Sequence, residues 1–394
     1  MIASKTPLSI LKQLIAIPSQ NPMGHEPVGD GWYEAGVSRW LCEFFKEHSL
    51  PYEYHEIESQ RGNVVARIDG DPNRPTVLLD AHQDTVPVAG MIVDPYDAIE
   101  KEGRLYGRGT CDVKGSMAAM LATALRLIPL NGDHAPVILS FTCDEERTQI
   151  GAAELARRLA LPAGQRSALL PENPQFAIVC EPTDLNVVVA HKGTVRWKIR
   201  TSGAAAHSSN PALGVNAIYK MAKIVSCLET YAVELQSGGI VHPLCGGRTL
   251  SVGTIHGGAS VNIVPEVCTI EIDRRLVPGE VAEEAIADVD QYLRKNCDAD
   301  FEFLPTDTIS NPLLDRDNAT LCQRLIEAAE PTRPNRQAIG VPFGTHAPRV
   351  AALEIPTVVF GPGSIAQAHT KDEWIEIQQL DEAVEIFVRL LTAT

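Results

Sequence analysis

Residues 76–84 read TVLLDAHQD, a short apolar run that ends in a histidine and, two residues later, an aspartate. Comparable runs occupy residues 137–146 (VILSFTCDEE) and 176–183 (FAIVCEPT), and a fourth, TVVFGPG at 357–363, leads on to His369. Apolar runs of this length without alternation are typical of strands that are buried on both faces, as in a parallel sheet. Each run is followed by a histidine or a carboxylate.

Helical patterns separate the apolar runs. Apolar residues spaced three and four positions apart predict helices near 32–48, 115–127 and 151–159, and a final helix near 380–391. Short strands that alternate with helices indicate an α/β domain. We therefore predict an α/β fold with a mainly parallel sheet between helices.

The pattern changes in the middle of the chain. Polar and apolar residues alternate at 195–201, 249–256 and 268–274, as in strands with one wet face, and helices are predicted at 214–228 and near 281–294. This indicates a small inserted α+β domain, a two-layer sandwich. Two domains are also expected from the length, because at 394 residues the chain exceeds the roughly 250–300 residues at which a single hydrophobic core stops growing. The predicted bounds are residues 1–183 and 297–394 for the α/β domain and 184–296 for the inserted domain.

Composition narrows the functional class. The net charge is −16, from 34 basic and 50 acidic residues, and this argues against a nucleic-acid partner because phosphate binding depends on clustered Lys and Arg. The N-terminal segment reads as a short amphipathic helix and not as a signal peptide, and no run approaches the ~18 apolar residues that a membrane span needs. The nine cysteines form no CxxC pair and predict reduced thiols. We expect a cytoplasmic protein with no membrane partner.

Ligand-type residues collect at one edge of the predicted sheet. His82, the acidic run 144–146 and Glu181 follow three of the strands, and His369 follows the loop after the fourth. In open α/β sheets, ligands bind outside the carboxyl ends of the strands. Asp112 lies in the glycine-punctuated loop GRGTCDVKG, just before the Ala-rich helix. Carboxylate and imidazole donors without thiolate suit Zn²⁺, Mn²⁺ or Co²⁺.

Taken alone, each of these residues has an ordinary structural explanation. A lone histidine at a strand end is usually structural, and an acidic run is usually a solvated turn. Those explanations would have to hold independently at five sites on one edge of the sheet. The sequence contains no HExxH, GxSxG, GxGxxG or P-loop motif, which makes a serine or cysteine hydrolase a poor alternative.

The chain resembles, nearly end to end, the metallopeptidase family that includes acetylornithine deacetylase, succinyl-diaminopimelate desuccinylase, aminoacylase and glutamate carboxypeptidase. The motifs that carry the resemblance, in the family's order, are LLDAHQDTVPV, LYGRGTCDVKG, FTCDEE, CEPTDL, AHKG, AHSSNPALGVNAI, VNIVPE, DRRLVPGE and GPGSIAQAH. The EPT and AHKG motifs, the HGG stretch and GPGSIAQAHTKDE are most similar to acetylornithine deacetylase.

The resemblance implies a pair of divalent metal ions, Zn²⁺ first, with Co²⁺ or Mn²⁺ as alternatives. It places Asp112 between the two ions, His82 and Glu181 on one, Glu146 and His369 on the other, and Glu145 as the general base. A base beside the metals must stay unligated to accept a proton from water and pass it to the leaving amine. Asp84 has the spacing of a group that fixes the tautomer of His82; a turn or cap residue is the alternative.

The resemblance also implies that the inserted domain is a lid and dimerisation domain. His207, in AHSS, would reach the active site of the neighbouring subunit and stabilise the oxyanion there, which implies a homodimer. Asn262 and Arg275 match positions that bind substrate; without the resemblance, Arg275 reads as a surface salt-bridge residue. His346 stands where many members have Asp or Glu, and it would pair poorly with a cationic substrate side chain.

These observations predict a metal-dependent amidohydrolase that removes the acyl group from a small N-acyl-L-amino acid. N-acetyl-L-ornithine, which would place the enzyme in arginine biosynthesis, is the leading substrate. A dipeptidase or carboxypeptidase, or an enzyme of the succinyl-diaminopimelate desuccinylase type, remains the alternative within this chemistry. A catalytically silent binding relative would have lost the base or a ligand, whereas Glu145 and the five ligand positions all keep suitable side chains.

Overall fold

The computed structural model of the protein describes residues 6–306 and 308–393. Its α-helices are α1 (Pro7–Ile15), α2 (Ala35–Glu47), α3 (Lys114–Leu127), α4 (Ile150–Leu159), α5 (Ala217–Ser237), α6 (Ala282–Asn296), α7 (Ala319–Ala329), α8 (Ala347–Ala351) and α9 (Ile377–Thr392). Within the described ranges, none of these helices is long and apolar enough to cross a membrane.

Within these described residues, the strands fall into four sheets. They are β1 (Tyr52–Glu58), β2 (Arg61–Ile68), β3 (Val77–His82), β4 (Ile99–Lys101), β5 (Arg104–Tyr106), β6 (Val137–Thr142), β7 (Phe176–Val179), β8 (Val187–His191), β9 (Gly193–Ser202), β10 (Val241–His242), β11 (Gly246–Gly247), β12 (Thr249–Gly257), β13 (Val267–Leu276), β14 (Glu302–Phe303), β15 (Thr308–Ser310), β16 (Ala338–Val341), β17 (Thr357–Val359) and β18 (Trp374–Glu376).

The largest sheet has eight strands in the order β1-β2-β6-β3-β7-β17-β8-β16. Its four central strands, β6, β3, β7 and β17, run parallel, which confirms the predicted α/β class. The outer pairs β1–β2, β2–β6 and β17–β8 are antiparallel. A hairpin as tight as that between β1 and β2 can only join antiparallel strands. The four strands whose ends carry the candidate ligands are therefore the four that point the same way.

Both faces of this sheet are covered by helices. Along β3, Leu79 belongs to the larger hydrophobic core with α1, α2, α3, α7 and α9, whereas Leu78 belongs to a second core with α4 and the region of α8. Neighbouring residues of a strand face opposite sides of the sheet, so a strand between two cores carries apolar residues on both faces. This explains why TVLLDA and VILSFT lack alternation.

The Ala-rich helix α3 is buried over nearly its whole length. It packs against α1, α9 and β3, and residues such as Ala118, Ala119 and Ala122 let these neighbours approach closely. An α-helix in such a position needs small side chains on every face. Its first turn therefore sits deep in the domain, directly after the loop that carries Asp112.

The chain divides into two compact units. One comprises Met1–Val189, Asp315–Ile339 and Thr345–Thr394, and the other comprises Ala190–Leu314 and Gly340–Gly344. The second unit contains the sheet β12-β13-β9-β14, with β15 also paired to β9. Helices α5 and α6 supply the rest of its core, around Trp197. Strand β13 alternates buried and exposed residues along its length, the pattern expected of a sheet with one wet face.

Candidate active site

The carboxyl ends of the four parallel strands bring the predicted ligands together. His82 ends β3, Glu146 lies four residues after β6, Glu181 lies two residues after β7, and His369 follows the loop after β17. Two glycines in that last loop permit close approach. A Cβ on Gly361 would lie 2.7 Å from the carbonyl oxygen of Glu181, and Gly363 has φ +91°, a region that glycine adopts without strain.

Asp112 lies between the two histidines. Its Oδ1 is 3.0 Å from Nε2 of His82, and its Oδ2 is 3.2 Å from Nε2 of His369. His369 is also 3.1 Å from Oε2 of Glu146, and His82 is 3.9 Å from Oε1 of Glu181. The five predicted ligand residues thus form two half-sites that share the carboxylate of Asp112.

The hydrogen bonding of His82 shows that this cluster suits a cation. Nδ1 of His82 donates to the backbone carbonyl of Asp84 at 2.9 Å, so a neutral ring turns the Nε2 lone pair toward Asp112 and Glu181. A lone pair that faces two carboxylates is repulsive unless a positive charge lies among them. The donor set of imidazole and carboxylate fits a divalent ion of the Zn²⁺, Mn²⁺ or Co²⁺ kind.

The pKa shifts in the cluster arise from the close packing of buried carboxylates and histidines. Burial opposes protonation of His82, but the hydrogen bond with Asp112 and the nearby carboxylates outweigh it and raise its pKa. Hydrogen bonds with Asp112 and Glu146 raise the pKa of His369 to about 11. Burial and the charge of Asp112 raise the pKa of Glu146 to about 7, and burial raises that of Glu181. All four raised pKa values mean that the cluster binds a positive charge, whether a proton or a cation, more readily than the separate groups would.

Glu145 and Glu146 point to different partners, although they are adjacent. Glu146 contacts His369, whereas Oε1 of Glu145 accepts a hydrogen bond from Nε2 of Gln149 at 3.1 Å. Burial raises the pKa of the Glu145 carboxyl, as expected for a carboxyl group that must accept a proton near neutral pH. Glu145 therefore has the position and environment that a general base requires.

Asp84 acts on more of the site than its spacing suggested. The group that fixes the ring of His82 is the backbone carbonyl of Asp84, while its side-chain Oδ1 lies 3.6 Å from Nδ1. The carboxylate of Asp84 instead accepts the backbone N–H groups of Glu145 (3.0 Å) and Glu146 (3.2 Å). It also accepts a hydrogen bond from Asn21. One residue thus fixes the orientation of a ligand and of the base.

The first residue of the acidic run after β6, Asp144, belongs to a buried network of ion pairs. Asp144 adopts a left-handed backbone conformation with φ 60°, and its Oδ1 is 2.7 Å from Nη1 of Arg61. Arg61 in turn forms two hydrogen bonds with the carboxylate of Glu34. Asp144 is therefore turned away from the cluster, which leaves Glu145 and Glu146 to face it.

Two buried carboxylates at the site escaped the sequence analysis. Glu373 accepts backbone N–H groups of the loop that carries Asp112. Asp80, in β3, accepts a hydrogen bond from Nε2 of His346, and both side chains are fully buried. The apolar run around Asp80 offered one signal, because a charged residue inside a buried strand requires a partner. His346 is consequently held inside the domain.

The predicted residues of the inserted domain lie in the second unit. The segments of His207 and Asn262 adjoin each other, since His207 bridges to Ile263 and the N–H of Ser208 donates to the carbonyl of Asn262. Nδ1 of His207 accepts the N–H of Ser209 at 3.1 Å, so a neutral ring carries its proton on Nε2. His207 is exposed and thus presents Nε2–H as a donor.

Arg275 is placed apart from these two residues. It lies near the far end of β13, where it pairs with Thr194, whereas the start of β13 pairs with Ser202 near the His207 segment. Its guanidinium contacts Asp273, with 2.7 Å between Nε and Oδ1. Within one chain, the structure therefore separates Arg275 from His207 and Asn262.

Comparisons with known proteins place the chain in a family. The model of a family described as peptidase family M20/M25/M40 matches residues 78–393. An acetylornithine deacetylase of Vibrio campbellii is 31% identical over 371 residues, which is 91% of each protein. The chain belongs to peptidase family M20/M25/M40.

Solved structures show the same fold for this M20 peptidase. An M20 metallo-carboxypeptidase of Sulfolobus solfataricus superposes with a TM-score of 0.76 at 20% identity, over 98% of both chains. A dinuclear metal-binding M20 peptidase of Bacillus subtilis has a TM-score of 0.64 at 16% identity, over 98% of this chain and 96% of that one. The predicted family, fold class and enzyme class are thereby confirmed: the protein is a metal-dependent hydrolase of the M20 type.

Proposed function

We propose that this M20 hydrolase removes the acyl group from an N-acyl-L-amino acid, with N-acetyl-L-ornithine as the first substrate to test. The observation that carries the proposal is the placement of Asp112, whose two carboxylate oxygens face His82 and His369 separately. The carboxylate of Glu145 is bonded instead to Gln149 and is not one of the five predicted ligands. The acetylornithine deacetylase of Vibrio campbellii supports the substrate, because its similarity extends over most of the chain.

Two divalent ions, Zn²⁺ in the first instance, would be held by the residues around Asp112. His82 and Glu181 would bind one ion, Glu146 and His369 the other, and Asp112 both. Ions bound there would lower the pKa of water and polarise the scissile carbonyl group. The protein's own contribution is to hold these ligands rigidly, through the carbonyl of Asp84 and the carboxylate of Glu373.

Glu145 performs the proton transfers in this proposal. Its carboxylate accepts a proton from the attacking water and returns it to the nitrogen of the leaving amine, as a general base and then a general acid. Gln149 orients one carboxylate oxygen, and Asp84 fixes the backbone N–H of Glu145. Burial raises the pKa of the Glu145 carboxyl above its ordinary value, which makes it a stronger proton acceptor than an exposed carboxylate.

We also propose that the enzyme works as a homodimer. Thr194 and Ser202, the partners of Arg275 and Val267, are eight residues apart on β9, a span of roughly 26 Å in a strand. A small acyl amino acid cannot bridge that length. If Arg275 binds the substrate carboxylate through its planar guanidinium, then His207 and Asn262 must reach the same substrate from another chain.

Strand β12 offers a surface for such a dimer. In the described part of the chain it pairs on one side only, with β13, and an unpaired edge is a template for pairing with a second copy. Ile255 on β12 and Tyr219 on α5 are large apolar residues that are 53% and 72% exposed.

The proposed location of the enzyme, the cytoplasm, stays a prediction from the cysteine pattern.

The M20 metallo-carboxypeptidase of Sulfolobus solfataricus supports a second candidate, a carboxypeptidase or dipeptidase. The same metal chemistry would serve it, and so would a desuccinylase-type substrate. His346 bears on the choice because its burial against Asp80 removes it from a role in pairing with a substrate side chain.

The deciding experiment uses protein stripped with chelator and then restored with Zn²⁺, Co²⁺ or Mn²⁺. It is assayed on N-acetyl-L-ornithine, other N-acetyl and N-succinyl amino acids, and dipeptides. Metal-dependent release of ornithine supports the proposal, and kcat/KM across the panel establishes the preference. Cleavage of dipeptides alone would make the enzyme a peptidase. Metal-dependent activity on none of these substrates would contradict the proposed function.

A further inference from the structure

A second cluster of ligand-type atoms lies beside the co-catalytic residues. Nδ1 of His346 and one carboxylate oxygen each of Glu145 and Glu181 lie within 4.8 Å of one another. We propose that these three residues form a third divalent-cation site, whose occupation inhibits the enzyme. The inhibitory part rests on the proposed role of Glu145 as the base, whereas the binding part rests on the geometry alone.

The imidazole of His346 is oriented as a metal ligand. Its Nε2 is bonded to the carboxylate of Asp80, and both side chains are fully buried. An ionised carboxylate only accepts hydrogen bonds, so Nε2 carries the proton and Nδ1 of a neutral ring presents a lone pair. Metal-binding histidines almost always donate their other ring N–H to a carboxylate, a backbone carbonyl or water, and His346 has the first of these partners.

Nδ1 of His346 has no hydrogen-bond partner within residues 6–306 and 308–393, although it is buried. An unsatisfied buried nitrogen costs free energy, and here its lone pair faces two carboxylates that repel it further. A cation among the three groups would satisfy the nitrogen and both carboxylates at once. These three groups therefore favour binding of a cation in addition to the two ions proposed at the five co-catalytic ligands.

The dimensions suit a small divalent ion. Ligand atoms about 2.0–2.2 Å from one Zn²⁺ lie roughly 3–4 Å apart. Nδ1 of His346 is 3.9 Å from Oε1 of Glu145, and all three ligand atoms lie within 4.8 Å of one another, so an ion requires only a small closing movement of the side chains. Glu181 has two oxygens and can contribute one to each site. One nitrogen and two carboxylate donors leave positions for water, as Zn²⁺, Co²⁺ and Mn²⁺ accept.

Occupation of this site would stop turnover for a simple reason. A carboxylate that binds a cation is no longer available to accept a proton, so Glu145 could not act as the base. Activity should then rise as the first two ions bind and fall as the third binds. The proposed inhibition depends on His346, because its Nδ1 is the only nitrogen among the three ligand atoms.

The variant that tests the site is His346→Gln. The amide nitrogen of glutamine can still donate to Asp80, but the side chain has no imine nitrogen to offer in place of Nδ1. Apo-protein is titrated with Zn²⁺ by calorimetry, bound zinc is counted by mass spectrometry after gel filtration, and activity is measured at each point. His134→Gln is the matched control, because His134 is another buried histidine of the same unit whose Nδ1 bonds to Ala135.

We expect a third, weaker zinc in the wild type and in His134→Gln, with activity falling as it binds. In His346→Gln that binding event should be lost, and the fall in activity should move to at least tenfold higher zinc. Equal zinc counts and equal inhibition in wild type and His346→Gln would overturn the proposal. Inhibition without a third zinc would also overturn it, since the inhibition would then arise elsewhere.

A second variant guards against failure of His346→Gln to fold, which circular dichroism would reveal. Asp80→Asn lets the asparagine amide donate to Nε2, so the ring proton moves to Nδ1 and blocks the ligand atom. It should likewise lose the third zinc. The zinc count does not require catalysis: a third zinc lost in both variants, without inhibition in the wild type, supports the site and contradicts the role of Glu145.

Discussion

Glu373 holds the backbone of Asp112 from the opposite side of the loop. Its Oε1 accepts the N–H groups of Asp112 (3.0 Å) and Cys111 (2.9 Å), and its Oε2 accepts those of Gly109 (3.0 Å) and the guanidinium of Arg108 (2.6 Å). Glu373 is fully buried. Four donors on one carboxylate fix the loop before any metal ion binds, so the shared ligand is already in place.

Glu373→Gln should weaken metal binding without unfolding the protein. A glutamine amide can accept at one end only, and its NH₂ group would face N–H donors at the other. We expect metal affinity to fall by about 10–100-fold, as for other groups that orient metal ligands, and kcat/KM to fall with it at limiting metal. Zinc retention against a competing chelator measures the effect.

The matched control for this prediction is Glu376→Gln, three residues further on and exposed. It should retain zinc as the wild type does. An unchanged zinc affinity in Glu373→Gln would show that the loop is held by other contacts, such as the packing of α3.

The sequence predicted the parts of the fold that depend on local pattern. The runs in β3 and β6 are apolar on both faces over most of their length because each strand lies between two cores, and this is visible in the residues alone. Strand β1 was missed because YEYHEIE lies at the edge of the sheet, where His55 is its one buried residue. Helix α7 was also missed, although its five buried residues recur at helical spacing.

The candidate ligands were also predictable from local pattern, since each lies at the end of a strand or in or after a glycine-rich loop. The residues that orient these ligands were not predictable. Glu373 is 261 residues from Asp112, and His346 is 266 residues from Asp80. Contacts over such separations are fixed by tertiary packing, which no local pattern records. The sequence therefore indicated which residues collect at the sheet edge, but not which residues orient them.

Glu145→Gln should retain both co-catalytic ions and lose most turnover. Glutamine keeps the size of the side chain but cannot accept a proton, and general-base catalysis typically contributes 10²–10⁴-fold. We expect kcat to fall by about that factor, with little change in the first two zinc-binding events. Steady-state kinetics together with zinc analysis separate the two quantities. A wild-type rate would remove Glu145 from the base role.

Lys114 makes the stability of the protein depend on pH. It is buried at the start of α3, with Nζ bonded to the carbonyls of Leu14 and Ile17, and burial lowers its pKa to about 7. The unfolded chain has the ordinary lysine pKa of about 10.4. Between these values the unfolded state binds more protons, so the free energy of unfolding should rise with pH, by about 1.4 kcal/mol per unit.

Lys114→Met is the comparison that isolates this effect. Methionine does not titrate, so urea unfolding at several values between pH 7 and 10 should show the wild type gaining stability relative to the variant as the pH rises. Below pH 7 the difference should become constant, because the lysine is then charged in both states. A difference that does not change between pH 7 and 10 would contradict the lowered pKa.

His207→Ala should abolish most activity while the dimer remains intact. The exposed Nε2–H of His207 is a donor suited to a developing oxyanion, and loss of one such donor typically costs about 10²–10³-fold in kcat. Light scattering would confirm the oligomeric state. Ser237→Ala, on the same unit at the end of α5, is a control that should keep the wild-type rate. A fully active His207→Ala dimer would remove His207 from the oxyanion role.

Mixing inactive variants tests whether His207 acts in the neighbouring subunit. A dimer of one Glu145→Gln chain and one His207→Ala chain would have one site with both defects and one with intact Glu145 and an intact His207 from the partner. Random exchange gives half mixed dimers, so activity should return to about a quarter of the wild-type value. If His207 served its own chain, each site would keep one defect, and mixing would restore nothing.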